Sequence, residues 1–215
     1  MVEIALHILD IAENSITAGA KNIEIGVEED LAADRLRFFV QDDGRGMDAE
    51  TLARATDPFV TSRTTRRVGL GLPFLKEAAE ACNGSLTIQS LPGVGTRVAA
   101  EFQHSHIDRM PLGDLAGTFL ALLVGFPNVH WRFHYRADGR DFAFDDAPIK
   151  AELGELPLTE PAVLGFIRRT LHDGVASVQR ALQNERWDLG ADRSGCSASV
   201  GGGESLPHEG GAGCQ

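Results

Sequence analysis

The chain has 215 residues, of which 43% are apolar, and its formal net charge is −11 at pH 7. This length and composition allow one medium-sized or two small packed domains, and the acidic balance excludes a general role in coating nucleic acid or anionic membranes. The three cysteines have no metal-ligand spacing, and no signal peptide or membrane span is predicted, so we expect a cytoplasmic protein without nucleic-acid or membrane partners.

The first predicted element is a helix over residues 3–18, which Gly19 ends. Apolar residues occupy most of its circumference, and the polar residues recur at spacings of three and four: Glu3, His7, Asp10, Asn14 and Thr17. One interpretation of this polar stripe is a solvated helix face. The other is a binding site, because a carboxylate and an amide oxygen four residues apart can orient a water and ligate a hard cation such as Mg²⁺.

Two strands follow, over residues 22–28 and 36–41, and each has apolar residues on one face. The second strand runs into a sharp turn over residues 42–47, Asp-Asp-Gly-Arg-Gly-Met. Its alternate glycines allow the backbone to approach a flat or anionic group, and a carboxylate fixed at a strand end can accept a hydrogen bond from an amino group. The same pattern also fits an ordinary strand-to-turn junction.

A short helix capped by Asp48 leads to residues 57–72, which hold three arginines and four hydroxyl side chains without apolar periodicity. This segment ends in Gly-x-Gly and enters a helix over residues 72–82. Backbone N–H groups, a helix N-terminus and side-chain cations together can hold phosphates, so we expect a phosphate-binding loop, with a solvated loop as the alternative. Two strands over residues 85–90 and 96–102 follow, joined by a Pro-Gly turn.

Taken in order, these motifs resemble the GHKL ATP-binding domain shared by gyrase, a heat-shock chaperone, histidine kinases and MutL. The resemblance covers residues 1–104. The segments Asp-Pro-Phe-Val-Thr-Ser-Arg at 57–63 and Gly-Leu-Gly-Leu at 69–72 are closest to histidine kinases, whereas residues 13–20 are more similar to MutL. The chain also resembles small stand-alone ATP-binding proteins encoded near hydrogenase and NADH-dehydrogenase-like genes of anaerobic bacteria. The resemblance implies an α/β two-layer sandwich as the fold class. It also implies that the chain binds ATP and Mg²⁺.

The resemblance also implies roles for single residues. Asp42 would accept the adenine amino group with support from Thr96, and Asn14 would bind Mg²⁺. The other nucleotide-binding positions would seat the base or close over the phosphates: Gly44, Gly46, Met47, Arg63, Gly69, Leu70, Gly71 and Leu72. Asp10 stands where hydrolysing members carry a glutamate and many kinases an asparagine, and it is one methylene shorter than glutamate, which favours binding over efficient turnover. We expect no sensor or dimerisation module before this helix.

Residues 105–189 are predicted to form a small α+β accessory domain, with a helix over 111–124, a β-hairpin, and a helix over 161–182. The apolar stripe of the last helix fits an intramolecular core or a dimer seam. Residues 190–215 are rich in glycine and serine and are predicted to be disordered.

The hairpin register follows from placing Asp138-Gly139 in a two-residue turn. Aromatic residues then pair on one face and opposite charges pair on the other. The predicted pairs are Tyr135 with Phe142, Phe133 with Phe144, Arg136 with Asp141, and Arg132 with Asp145.

Residues 105–112, Ser-His-Ile-Asp-Arg-Met-Pro-Leu, resemble the phosphoacceptor box of histidine kinases, which makes His106 a candidate acceptor. The acidic residue is one place late and the box follows the ATP-binding part, so a linker histidine before a Pro-initiated helix is the alternative. Three other histidines are expected at the surface: His104, His130 and His134.

We therefore expect a histidine-kinase-like regulatory protein that binds Mg·ATP and transfers the γ-phosphoryl group to a protein acceptor. The alternative is an ATP-dependent conformational clamp with slow or no hydrolysis. We expect two kinds of partner. One is a protein partner or substrate whose identity the sequence does not give, with a redox-enzyme complex as one candidate, and the other is a second copy of the chain.

Overall fold

The structure is a computed structural model that describes residues 3–57, 71–154 and 156–191, with side chains up to residue 180. The helices in chain order are α1 (Ile4–Thr17), α2 (Ala49–Ala53), α3 (Gly71–Ala81), α4 (Leu115–Gly125), α5 (Ala147–Leu153) and α6 (Pro161–Ala191). The strands are β1 (Asn22–Asp30), β2 (Arg35–Asp42), β3 (Ser85–Leu91), β4 (Gly95–Gln103), β5 (His130–Ala137) and β6 (Arg140–Asp145). They form one six-stranded sheet in the order β3-β4-β2-β1-β5-β6.

Helices cover one face of the sheet, in agreement with the one-sided apolar pattern of the strands. Ile25 of β1 and Phe38 of β2 are each 1% exposed on that face. The other face carries charged residues such as Glu28 and Arg37, whose side chains form an ion pair at 2.7 Å. The α/β two-layer arrangement therefore agrees with the expected fold class.

The separate accessory domain expected for residues 105–189 is not confirmed. β5 pairs in parallel with β1, so the predicted hairpin extends the sheet that the first half begins. Trp131, Phe133 and Phe119 of the second half belong to the same buried cluster as Ile25. The physical reason is that β1 is apolar enough to be buried at the centre of a sheet and accepts a strand on each side.

The hairpin itself has the predicted register, and all four predicted pairs are present. Asp138 and Gly139 both have positive φ, 43° and 81°, as a turn of this length requires. The predicted stripe on α6 is intramolecular core, because Ile167, Leu171 and Val175 are each 5% exposed or less. Its position 182 lies outside the residues whose side chains are described.

Three features of the second half differ from the prediction. The helix expected from residue 111 begins at Leu115, because the carbonyls of Pro111 and Leu112 accept hydrogen bonds from the first N–H groups of α1, both at 3.0 Å. The helix α5 was not predicted. Residues 190–191 of the expected tail belong to α6, and residues 192–215 lie outside the described residues.

In the described ranges, no helix combines the length and the apolar character that a membrane crossing requires.

Candidate functional site

The carboxylate of Asp42, at the end of β2, is held by three described donors. Its Oδ2 accepts from the Ser15 hydroxyl at 2.6 Å, and its Oδ1 accepts from the backbone N–H groups of Gly44 at 2.9 Å and Thr96 at 3.2 Å. A carboxylate offers roughly four acceptor sites. Asp42 is therefore fixed in direction by α1, β4 and its own turn, and it retains capacity for a ligand N–H.

The glycines of the 42–47 turn allow close packing on both sides. A Cβ on Gly46, which has φ of 66°, would lie 2.0 Å from the carbonyl oxygen of Leu91. A Cβ on Gly44 would lie 3.0 Å from Ala18 Cβ and 3.0 Å from Asp42 Oδ1. The turn is thus wedged between the end of α1 and the β3–β4 turn, and glycine is required at Gly46 by the fold alone.

Thr96 lies opposite Asp42 in the β2–β4 register. Its hydroxyl is 2.8 Å from the Ser90 hydroxyl, and Ser90 Oγ also accepts from the backbone N–H of Met47 at 2.8 Å. Two serines that sequence reasoning missed therefore complete this site, Ser15 and Ser90. The available signal for Ser15 was a hydroxyl directly after Asn14 on the apolar side of α1, where a buried polar group needs a partner.

Asp10 and Asn14 are both half-buried on α1, and Asp10 lies at the start of α3. A Cβ on Gly71 would come within 1.8 Å of Asp10 Oδ2, so the Asp10 carboxylate lies directly against the first residue of α3. Leu72 packs against the buried core. The predicted phosphate-binding residues Arg63, Gly69 and Leu70 lie outside the described residues.

The solvated-face interpretation of the α1 stripe is wrong at His7. This side chain is 2% exposed, and among the described residues neither ring nitrogen has a hydrogen-bond partner. Burial lowers the pKa of His7 from 6.5 to about 4. The imidazole is therefore neutral at pH 7 and packs with the apolar residues of the helical layer.

His106, the candidate phosphoacceptor, lies at the opposite end of β2 from Asp42. The neighbouring Ser105 donates its N–H and its hydroxyl to Asp34, both at 2.8 Å, and Asp34 directly precedes β2. An eight-residue strand spans roughly 25 Å. The expected helix start at this box is absent, since α4 begins at Leu115.

His104 is not a surface residue, contrary to the prediction. It is 7% exposed, and its Nε2 is 2.7 Å from Glu29 Oε2, while Glu29 Oε1 accepts from the Tyr135 hydroxyl at 2.5 Å. Burial opposes ionisation of Glu29, but the hydrogen bonds from His104 and Tyr135 outweigh it, and the pKa of Glu29 lies below its usual 4.5. This buried network joins β1, β5 and the segment after β4.

His134 is exposed, whereas His130 is partly covered and lies in an ion-pair cluster. Its Nε2 is 2.9 Å from Asp145 and 3.7 Å from Asp146. These three side chains have metal-ligand spacing, but Lys150 Nζ lies 2.6 Å from Asp146 Oδ2 and already supplies the counter-charge. We therefore interpret the cluster as structural.

Comparison with known proteins locates a family match in the first half of the chain. Residues 2–106 match the model of the histidine kinase-, DNA gyrase B- and HSP90-like ATPases. The chain is 44% identical over 89 residues to the sensor protein kinase FleS of Pseudomonas aeruginosa, covering 41% of this chain and 22% of that protein. It is 32% identical over 111 residues to the non-motile and phage-resistance protein of Caulobacter vibrioides, covering 47% of this chain and 13% of that protein.

Among solved structures, full-length ShkA in complex with AMPPNP matches with a TM-score of 0.38 and 26% identity, covering 45% of this chain and 20% of ShkA. The chain thus spans about a fifth or less of the length of these relatives.

Proposed function

We propose that this chain binds Mg·ATP around Asp42 and transfers the γ-phosphoryl group to a protein acceptor, because residues 2–106 match the model of the histidine kinase-, DNA gyrase B- and HSP90-like ATPases. The observation that carries the proposal is the anchoring of the Asp42 carboxylate by Ser15, Gly44 and Thr96. A carboxylate that is already held in one direction can accept a hydrogen bond from the exocyclic amino group of adenine without a further loss of side-chain entropy on binding.

The other end of the site fits the charged part of the nucleotide. The amide oxygen of Asn14 and the carboxylate of Asp10 are hard oxygen donors of the kind that Mg²⁺ prefers. The first turn of α3 begins at Gly71, beside Asp10, and a helix N-terminus directs N–H groups towards an anion. Bound Mg²⁺ would neutralise phosphate charge, and Asn14 is the residue that would hold it.

The acceptor in this proposal is another protein or another copy of the chain. Phosphoryl transfer requires the acceptor atom to lie in line with the γ-phosphate. Ser105, the neighbour of His106, is held against Asp34 at the far end of β2, and no helix begins at His106, so we propose transfer in trans over transfer within one chain.

The second candidate is an ATP-dependent clamp with slow or no hydrolysis. The contact between Asp10 and Gly71 favours the clamp, because a movement of the α3 N-terminus on nucleotide binding would displace the Asp10 carboxylate. In this candidate the closed form would bind a partner with a different affinity from the open form.

The test is incubation of the purified protein with Mg·[γ-³²P]ATP, alone and with lysate, for the wild type, Asn14→Ala, Asp10→Asn, Asp42→Asn and His106→Gln. Nucleotide affinity is measured in parallel by calorimetry. If the chain is a kinase, we expect an acid-labile radiolabel on protein. This label should be lost in Asn14→Ala and Asp42→Asn and retained in His106→Gln.

ATP binding without label on any protein would reject the kinase proposal and support the clamp. Release of free phosphate that Asp10→Asn abolishes would identify a hydrolysing switch. Both candidates would be contradicted if the wild type failed to bind ATP, or if Asp42→Asn bound ATP with the same affinity as the wild type.

A further inference from the structure

The two edges of the sheet differ in charge. The edge strand β6 carries Arg140, Asp141 and Asp145, and charged side chains of this kind prevent edge strands from pairing with other chains. The edge strand β3, Ser-Leu-Thr-Ile-Gln-Ser-Leu, has no charged residue, no proline and no glycine. In the described part of the chain, the backbone of residues 85–89 pairs with β4 alone.

We propose that β3 is the site where a second copy of this chain pairs, antiparallel and centred on Thr87, to give a continuous twelve-stranded sheet. A two-fold axis at Thr87 sets this residue opposite its own copy. Leu86 then faces Ile88 of the partner subunit, and Ser85 faces Gln89 of the partner subunit. Each pair joins residues of the same character on the same face of the sheet.

The burial of β3 agrees with this register. Leu86 and Ile88 are half-buried on the helical side, whereas Ser85, Thr87 and Gln89 are exposed on the open side. Pairing at Thr87 therefore continues the apolar layer under the helices and keeps the open face polar. A shift by one residue in either strand would place apolar residues opposite polar ones on both faces.

The helical layer extends to this edge of the sheet. α3 packs over β3 and β4, and α2 packs on β3. A second copy paired at β3 would therefore continue the helical layer as well as the sheet. Pairing at Thr87 also leaves alone the Ser90 end of the strand, where Met47 donates to the Ser90 hydroxyl.

The first experiment exploits the symmetry at Thr87. We expect the wild type to sediment at twice the 23.1 kDa mass of the chain at about 100 µM and to dissociate on dilution. Thr87→Lys and Thr87→Glu each set like charges directly opposite one another, so each is expected to sediment as a monomer. An equimolar mixture of the two should recover the dimer, because lysine then faces glutamate.

Thr87 lies outside the nucleotide site, so unchanged Mg·ATP affinity of both variants would show that they are folded. The matched control is Ala143→Lys on β6, which is exposed on the same face of the sheet and should leave the dimer intact. A wild type that remains monomeric at about 100 µM, or a mixture that fails to recover the dimer, would overturn the proposal.

A second experiment tests the register directly. Residues opposite one another on antiparallel strands have Cα atoms about 4.5–5.5 Å apart, which a disulfide can bridge. With Cys196 and Cys214 replaced by serine, Thr87→Cys should form a covalent dimer on mild oxidation and Ala143→Cys should not. Equal cross-linking of the two would exclude pairing at β3.

Discussion

The Ser15 hydroxyl donates to Asp42 Oδ2 at 2.6 Å and joins the helix that carries Asn14 to the carboxylate that ends β2. We predict that Ser15→Ala weakens Mg·ATP binding about tenfold, because a hydrogen bond to a charged group is worth about 1.5 kcal/mol or more. Calorimetric titration with ATP measures the change.

The matched control is Thr17→Ala on the same helix. Its hydroxyl donates to the carbonyl of Glu13, at 2.9 Å, on the exposed side of α1. Equal losses of affinity in Ser15→Ala and Thr17→Ala would show that the helix, and not the Asp42 contact, accounts for the effect.

Gly71→Ala should impair the site by displacing Asp10. The added Cβ would lie 1.8 Å from Asp10 Oδ2, so the carboxylate or the start of α3 has to move. We expect phosphoryl transfer or hydrolysis to fall at least tenfold in a radiolabel assay. Gly125→Ala is the control, because a Cβ at this helix end meets no atom within 4 Å.

The double variant Asp10→Ala, Gly71→Ala separates the steric effect from a change in the helix. If the steric contact is responsible, Gly71→Ala has no further effect on nucleotide affinity once Asp10 is truncated. Full additivity of the two changes would contradict this explanation.

His7→Leu should raise the stability of the protein and flatten its pH dependence. In the wild type, burial sets the pKa of His7 at about 4 against 6.5 when unfolded, so the unfolded state binds more protons between these values. The free energy of unfolding therefore falls as the pH drops from 6.5 to 4, by about 3 kcal/mol at about 1.4 kcal/mol per pKa unit. Urea unfolding at several pH values measures this slope.

The control for this prediction is His172→Gln, because the side chain of His172 is 75% exposed on α6. It should retain the wild-type slope. A slope that persists in His7→Leu would assign the pH dependence to other groups.

Glu29→Gln should cost about 1–3 kcal/mol of unfolding free energy at pH 7, because it weakens the buried hydrogen bonds that the Glu29 carboxylate makes with His104 and Tyr135. The folded pKa of Glu29 is depressed below 4.5, so its contribution is present above pH 4.5 and is lost as the pH falls through the folded pKa. The difference between wild type and variant should shrink in that acidic range. Glu28→Gln, at an exposed ion pair with Arg37, should cost less than about 1 kcal/mol.

The shared sheet predicts that the two halves of the chain unfold together. Phe133→Ala should destabilise the whole chain by about 3–5 kcal/mol, because Phe133 is 1% exposed on β5 beside β1. One transition is expected by far-ultraviolet dichroism and by tryptophan fluorescence, to which the buried Trp131 contributes. Phe166→Ala, at a residue 53% exposed, is the control. Two separate transitions would indicate independent domains.

The local sequence determined most elements and the hairpin register. Some patterns involve only a few neighbouring residues and can be recognised from the sequence alone. They are the alternating residues of β1 and β2, the helix cap at Asp48 and the Asp138-Gly139 turn. The order of motifs around Asn14, Asp42 and Gly71 likewise predicted the family that the comparison found.

Tertiary structure decided what depends on distant partners. The pairing of β5 with β1 joins residues more than 100 positions apart, and the spacing of residues along the chain carries no information about it. The same holds for Ser15 at Asp42, for His104 at Glu29 and for the distance between His106 and the site. Each of these depends on which surfaces the packed core brings together, because burial is a property of the whole fold and not of a segment.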